Sequence, residues 1–325
     1  MSFRSTAPTL VLTLALTLAL AVSATAAPAT GKARPAARRA NVRTGLAPTP
    51  YDDLLKAVKQ SDRGAIERVA GRLGPARLFE GLHNGNSAVV LAVLTAIPRA
   101  RGGVSLAGSI ADLTASPDPT ISAAAARSVG DLLAGDVPSA VADWEVPPDT
   151  LSHACGALHT LALRADAAPP ARLAALEATA ESASTCGGTA DLVGLLRDPA
   201  PAVRRAAALV LQPADKHSTL GLRAASRDPD PAVAAAAVAV LCRTGGAGAR
   251  RVGEPLALET VELARTLIVA TGTPTDDAVE MINCLGAART PADRKLLDQL
   301  RNSPPSQLRD GATEMAAALD AAKPQ

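Results

Sequence analysis

Two stretches of this chain, RDPAPAVRRAAALVLQ at 197–212 and RDPDPAVAAAAVAVLC at 227–242, align without a gap thirty residues apart. Pro199 and Pro229 break whatever helix precedes them. Pro201 and Pro231 suit a first helical turn, where a proline removes no amide hydrogen bond. Asp198 and Asp228 are placed to cap or close the turn. The apolar stripe that follows, Val203, Ala207, Val210 and Leu211 in one copy and Val233, Ala237, Val240 and Leu241 in the other, has helical spacing. A unit this short cannot bury such a stripe alone, so copies must stack and share one continuous core.

Weaker copies extend the pattern: NGNSAVVLAVLTAI (84–97), SPDPTISAAAARSVG (116–130), PPDTLSHACGALHTL (147–161) and SPPSQLRDGATEMAAAL (303–319). Their stripes include Val89, Val93, Ala96, Ile97 and Ile121, Ala125, Val129, Leu132. Second helices are expected at Leu106–Leu113, Leu192–Arg197, Leu220–Ser226 and Pro255–Ala270, which makes each unit a helix–turn–helix. The DPDPAV…AAA…L layout resembles bacterial HEAT-like repeats. That resemblance implies an all-α solenoid over residues 51–325 and, by analogy, an extended surface offered to a protein partner. The last helix, with Arg309, Asp310, Glu314 and Asp320, reads as a polar terminal cap. Composition agrees: 48% of residues are hydrophobic but only 1% aromatic. Without large rings to fill a globular core, burial must come from many closely spaced Ala, Leu and Val helices.

Residues 1–26 read as an export signal. Arg4 supplies the positive end, Thr9–Val22 an uncharged apolar run, and Ala24-Thr25-Ala26 small residues for cleavage before Ala27. The run is short for a membrane anchor, so no transmembrane span is expected after cleavage. A periplasmic or secreted protein follows. Residues 27–50 carry Lys32, Arg34, Arg38, Arg39 and Arg43, several prolines and no apolar period. They read as a flexible basic linker, with weak contact to an anionic surface as its possible use. The first 50 residues hold six basic and no acidic side chains, which leaves the remainder at 27 basic and 31 acidic.

The four cysteines, Cys155, Cys186, Cys242 and Cys284, combine an even count with an export signal and point to disulfides, with three connectivities open. Expected helix adjacency favours Cys155–Cys186 and Cys242–Cys284. A metal site built from Cys155, His159 and Cys186 competes, but no Cys-x-x-Cys or His-x-x-x-His pair completes the ligand set. His159 reads as a core histidine.

No motif commits the chain to a reaction. There is no phosphate loop, no Gly-x-Gly-x-x-Gly and no His-Glu-x-x-His. Gly245–Gly248 follows a helix and reads as a turn, and Asp276-Asp277 as the start of a helix. Arg204-Arg205 reads as a solvated face. An acidic body with Tyr51, Phe79 and Trp144 as its mature aromatic residues is unsuited to nucleic acid. No cofactor and no enzyme activity are expected. The function expected is that of an exported scaffold binding another macromolecule, most simply a protein, with Trp144 as candidate anchor. The alternatives are a structural cell-envelope element tethered by residues 27–50, or an enzyme accessory.

Overall fold

Prolines and small polar caps set where the helices begin. The computed structural model describes residues 49–134, 146–212, 216–245, 258–288 and 290–321. Residues 1–26, read as an export signal, nearly all of residues 27–50, read as a linker, Trp144, Gly246 and Gly248 lie outside the described residues. In chain order the helices are α1 (Asp52–Lys59), α2 (Arg63–Leu82), α3 (Ser87–Ala96), α4 (Ala107–Leu113) and α5 (Pro119–Leu133). There follow α6 (Pro148–Leu163), α7 (Pro169–Glu181), the short α8 (Ala183–Cys186), a 3-10 helix (Ala190–Arg197), α9 (Pro201–Val210) and α10 (Lys216–Ala225). The chain closes with α11 (Pro231–Gly245), α12 (Leu258–Ile268), α13 (Thr275–Ala288), α14 (Pro291–Leu300) and α15 (Ser306–Ala321). Asn86 caps α3 through the Ala88 amide, and Asp118 caps α5 through Thr120 and Ile121. A Thr290–Asp293 capping box opens α14. Within α2, Gly74 takes φ +68° just ahead of Pro75, a left-handed conformation that suits glycine, and the helix turns there.

Packing sorts these helices into two rows. In the first, α3, α5, α7, α9, α11, α13 and α15 each lie against the next. In the second, α4 touches α6, α6 touches the 3-10 helix, and that helix touches α10. Sequential pairs join the rows: α4 with α5, α6 with α7, the 3-10 helix with α9, α10 with α11, α12 with α13, and α14 with α15. This is an all-α solenoid of stacked pairs.

The stripes read from the repeat do the packing. Val203, Ala207, Val210 and Leu211 are buried, as are Val233, Ala237, Val240 and Leu241, and Val89, Val93, Ala96 and Ile97. Ile121 alone among the quoted stripe residues is half-buried. Two readings change. PPDTLSHACGALHTL becomes α6 and stands in the second row, while the first-row place falls to PPARLAALEATAE (169–181), which has no Asp-Pro ahead of it. The stretch expected as a helix at Leu192–Arg197 is a tight 3-10 helix.

The buried side chains form two clusters that meet on α11. Ala236, Ala237, Val240 and Leu241 belong to the larger, N-terminal one. Ala235, Val238, Ala239 and Cys242 belong to the smaller, C-terminal one. Every residue from Val233 to Cys242 is buried, so α11 is enclosed on all sides, as an apolar helix inside a core must be.

Candidate functional site

Four placements bear on function: an arginine–aspartate ladder, a clamp across α11, two histidine–aspartate pairs, and a groove along α6.

The ladder grows directly from the repeat. Arg172 and Arg204 each occupy the fourth position of a first-row helix. Arg172 Nη2 donates to Asp198 Oδ2 at 2.5 Å, with both side chains under a tenth exposed, and its Nε donates to the Ala162 carbonyl. Arg204 grips Asp228 through two bonds, Nε to Oδ2 at 2.8 Å and Nη2 to Oδ1 at 2.9 Å, and donates Nη1–H to the Asp198 carbonyl. Each aspartate still performs the turn-closing role expected of it, accepting from the amide two residues on. The Arg204 hydrogen bonds hold the Asp228 carboxyl below the usual aspartate range, against the opposing effect of burial. The ladder stops at α11, where the fourth residue is Ala234. The signal for it in the sequence is an arginine at the fourth helical position and an Asp-Pro after the next second-row element.

Arg205 does something different. Its Nη2 donates to Asp277 Oδ2 at 3.0 Å, 72 residues away. Asp277 lies in the first turn of α13, so the side chain leaves α9, passes α11 and ends one helix further along the row. The expectation of a solvated Arg204-Arg205 face is thus overturned, because both guanidinium groups are engaged by carboxylates. Asp277 is buried, and burial pushes its carboxyl up, with Arg205 pulling the other way. Farther on, Arg265 Nε donates to the fully buried Asp293 at 2.7 Å. Burial raises the Asp293 carboxyl, and the bonds from Arg265 and Thr290 outweigh it, leaving it below the usual range.

The cysteines are joined as Cys155–Cys186 and Cys242–Cys284, with Cα–Cα distances of 5.5 and 5.0 Å. The first links α6 to the end of α8 and is half-buried; the second links α11 to α13 and is buried. His159 Nδ1 lies 2.9 Å from Asp191 Oδ2, so a carboxylate partner replaces the lone core histidine expected there. Among the described residues no group of three or more His, Cys, Asp or Glu is arranged to hold a metal ion.

A groove of about 480 Å³ runs between α4 and α6. Its α6 wall is a ladder of one-turn steps: Ser152 and His153, then Gly156 and Ala157, then Thr160 and Leu161, then Arg164. At one end His153 Nε2 meets Asp112 Oδ1 at 2.9 Å, bridging the two helices. At the other end stands Arg164, whose guanidinium makes no hydrogen bond to any described residue. Its nearest acid is Asp166 at 3.6 Å, which is 85% exposed. His159 does not line this groove. A second hollow of about 550 Å³ between α1 and α2 is lined by Lys56, Arg68 and Arg72; Arg72 pairs with an exposed Asp53, and the array is a solvated end of the solenoid.

The aromatic residues offer little. Tyr51 is buried, with its hydroxyl donating to the Arg77 carbonyl. Phe79 is 44% exposed and stacks at a tilt on His83, ring centroids 4.6 Å apart. The other large exposed apolar side chains among the described residues are Leu163 on α6, Leu220 on α10, and Leu258 and Val269 at either end of α12. None of the five is on a first-row helix.

No family model matches the chain, and no curated protein matches it. Among solved structures, the Escherichia coli protein YibA aligns over 79% of this chain and 97% of its own, at 14% identity and a TM-score of 0.42. Two engineered proteins align over 82% and 83% of this chain and 95% and 81% of their own, at 18% and 15% identity, with TM-scores of 0.33 and 0.32. The architecture above stands on the packing of this chain's own helices.

Proposed function

We propose that the protein is an exported, non-enzymatic scaffold that binds another protein through the second-row surface of its solenoid. One observation carries the reading: among the described residues the five large exposed apolar side chains lie off the first row, while first-row Arg172, Arg204 and Arg205 are spent on internal carboxylates. A rigid frame with these arginines satisfied internally and its exposed apolar side chains held off the first row is built to present a surface. Export is supported by two disulfides, which persist in oxidising compartments, and by the leader-like sequence of residues 1–26. No helix of the described residues is long and apolar enough to cross a membrane.

The test is co-purification from the native exported fraction after mild cross-linking. A specific protein should be captured by the wild type and lost from a Leu220→Asp, Leu258→Asp double variant of unchanged melting temperature. Capture that survives this change, but is lost when the first-row Arg127 and Glu177 are reversed in charge, would overturn the assignment of the surface. Capture of nothing by the wild type would overturn the scaffold reading itself.

A further inference from the structure

The groove along α6 has the shape and charge to hold a short extended peptide by its terminal carboxylate. From His153 to Arg164 α6 advances about 16 Å at 1.5 Å per residue. An extended chain rising about 3.3 Å per residue covers that length in roughly five residues. The lining along this path is small: Ala111 and Ala115 on the α4 side, Gly156 and Ala157 on α6. Small lining residues let an extended backbone lie close to α6. Thr160 and Ser152 place hydroxyls along the same wall.

The two ends differ in kind. His153 and Asp112 satisfy each other at 2.9 Å and close one end. Arg164 at the other end makes no side-chain hydrogen bond to a described residue: its Nε is buried and closed to a ligand, while the side chain as a whole is one-third exposed. This sets it apart from Arg172, Arg204, Arg205 and Arg265, each of which donates to a carboxylate. Asp166 at 3.6 Å is too far for a hydrogen bond and too exposed to hold the charge firmly. A planar fork of donors is matched by a carboxylate, which accepts two parallel bonds.

We infer that the α4–α6 groove binds the C-terminal end of an extended peptide, with the terminal carboxylate on Arg164 and the preceding backbone along Gly156 and Thr160. The inference rests on the scaffold reading and deepens it by naming one feature of the partner; the groove is a separate stretch of the second row from Leu220.

Gly156 makes the test clean. A Cβ built there meets nothing within 4 Å, so a side chain at Gly156 starts in open space, and Gly156→Leu is used to fill the groove with the melting temperature as its control. Binding of acetyl-tetra-alanine with a free C-terminus is measured by titration calorimetry beside its C-terminal amide and acetate alone. The free acid should bind, and amidation or Arg164→Gln should weaken it by about tenfold or more, the loss of a charge-assisted pair. Gly156→Leu should abolish binding while melting and helical content stay unchanged. Equal affinity of acid and amide, no binding by the wild type, or binding unchanged in Gly156→Leu would each overturn the inference. Acetate matching the tetrapeptide would place a free small acid, not a peptide end, at Arg164 and overturn the peptide assignment. A groove that binds nothing in a protein that still captures its partner through Leu220 and Leu258 would sink this inference and leave the scaffold standing.

Discussion

Truncating Arg172 to alanine strands the Asp198 carboxylate in a site under a tenth exposed. An unpaired buried charge typically costs about 3–5 kcal/mol, so Arg172→Ala should be among the most damaging single changes, read by denaturant unfolding. Arg172→Met with Asp198→Leu should recover much of that loss, because two apolar groups replace a desolvated pair. Acid titration should reveal the carboxylates by sign. Asp228 and Asp293 are held below the usual aspartate value of 3.8, so the stability they add is complete above that value and fades as pH falls through their lower folded values. Asp277 is raised, so its contribution runs the other way and weakens as pH climbs above 3.8. Asp277→Asn should remove that opposing component from the pH–stability curve, and a curve of unchanged shape would contradict the assignment. At this scale the sequence was a poor guide. Asp198 and Asp228 were legible as turn residues because that role is local. Their arginines sit 26 and 24 residues upstream, and Arg205 finds its partner 72 residues on, distances over which neighbouring residue types carry no information.

Helices pack closely where glycine or alanine lets them. A Cβ added at Gly130 on α5 would stand 2.7 Å from the Ala178 Cβ and 2.8 Å from its Cα on α7. Backbone cannot yield as a side chain can, so Gly130→Ala should cost about 1–3 kcal/mol through overpacking, despite alanine's better helix propensity. The measurement is the unfolding free energy, and a gain in stability would show that the α5–α7 seam is looser than described. Element identity was legible where Asp-Pro and an apolar stripe coincided, as at α5, α9 and α11. It failed at α7, which opens on Pro169-Pro170 without an aspartate, and at α6, whose Pro148-Asp149 start imitates a first-row unit. A start signal reports that a helix begins; it does not report which row the helix joins. The groove along α6 was illegible for the same reason, since it exists only once α4 and α6 are neighbours.

Across the molecule, the two disulfides close loops of 31 and 42 residues and add about 3–4 kcal/mol each in the chain-entropy model. They hold different seams. Replacing Cys242 and Cys284 by alanine should loosen the tie between α11 and α13 inside the smaller cluster, so that amides of α13 to α15 exchange hydrogen earlier than those of α5 to α9. Replacing Cys155 and Cys186 should instead loosen the tie between α6 and α8 and leave α13 to α15 protected. Hydrogen exchange by mass spectrometry distinguishes the two patterns. The overall architecture was legible from two good copies because stacking is the only way such units bury their stripes. The division into two clusters was not, since it depends on how α11 is enclosed. The reach of Arg205 past α11 to Asp277 also bears on how such a gene can change length. An array whose members meet only their immediate neighbours can gain or lose one by duplication or excision, and the new seam resembles the old. Excising the stretch around α11 would bring Arg205 to a helix one place out of count and remove Cys242 from its bond with Cys284. Between α9 and α13 the number of units is therefore fixed, and viable lengthening or shortening is directed outside that stretch.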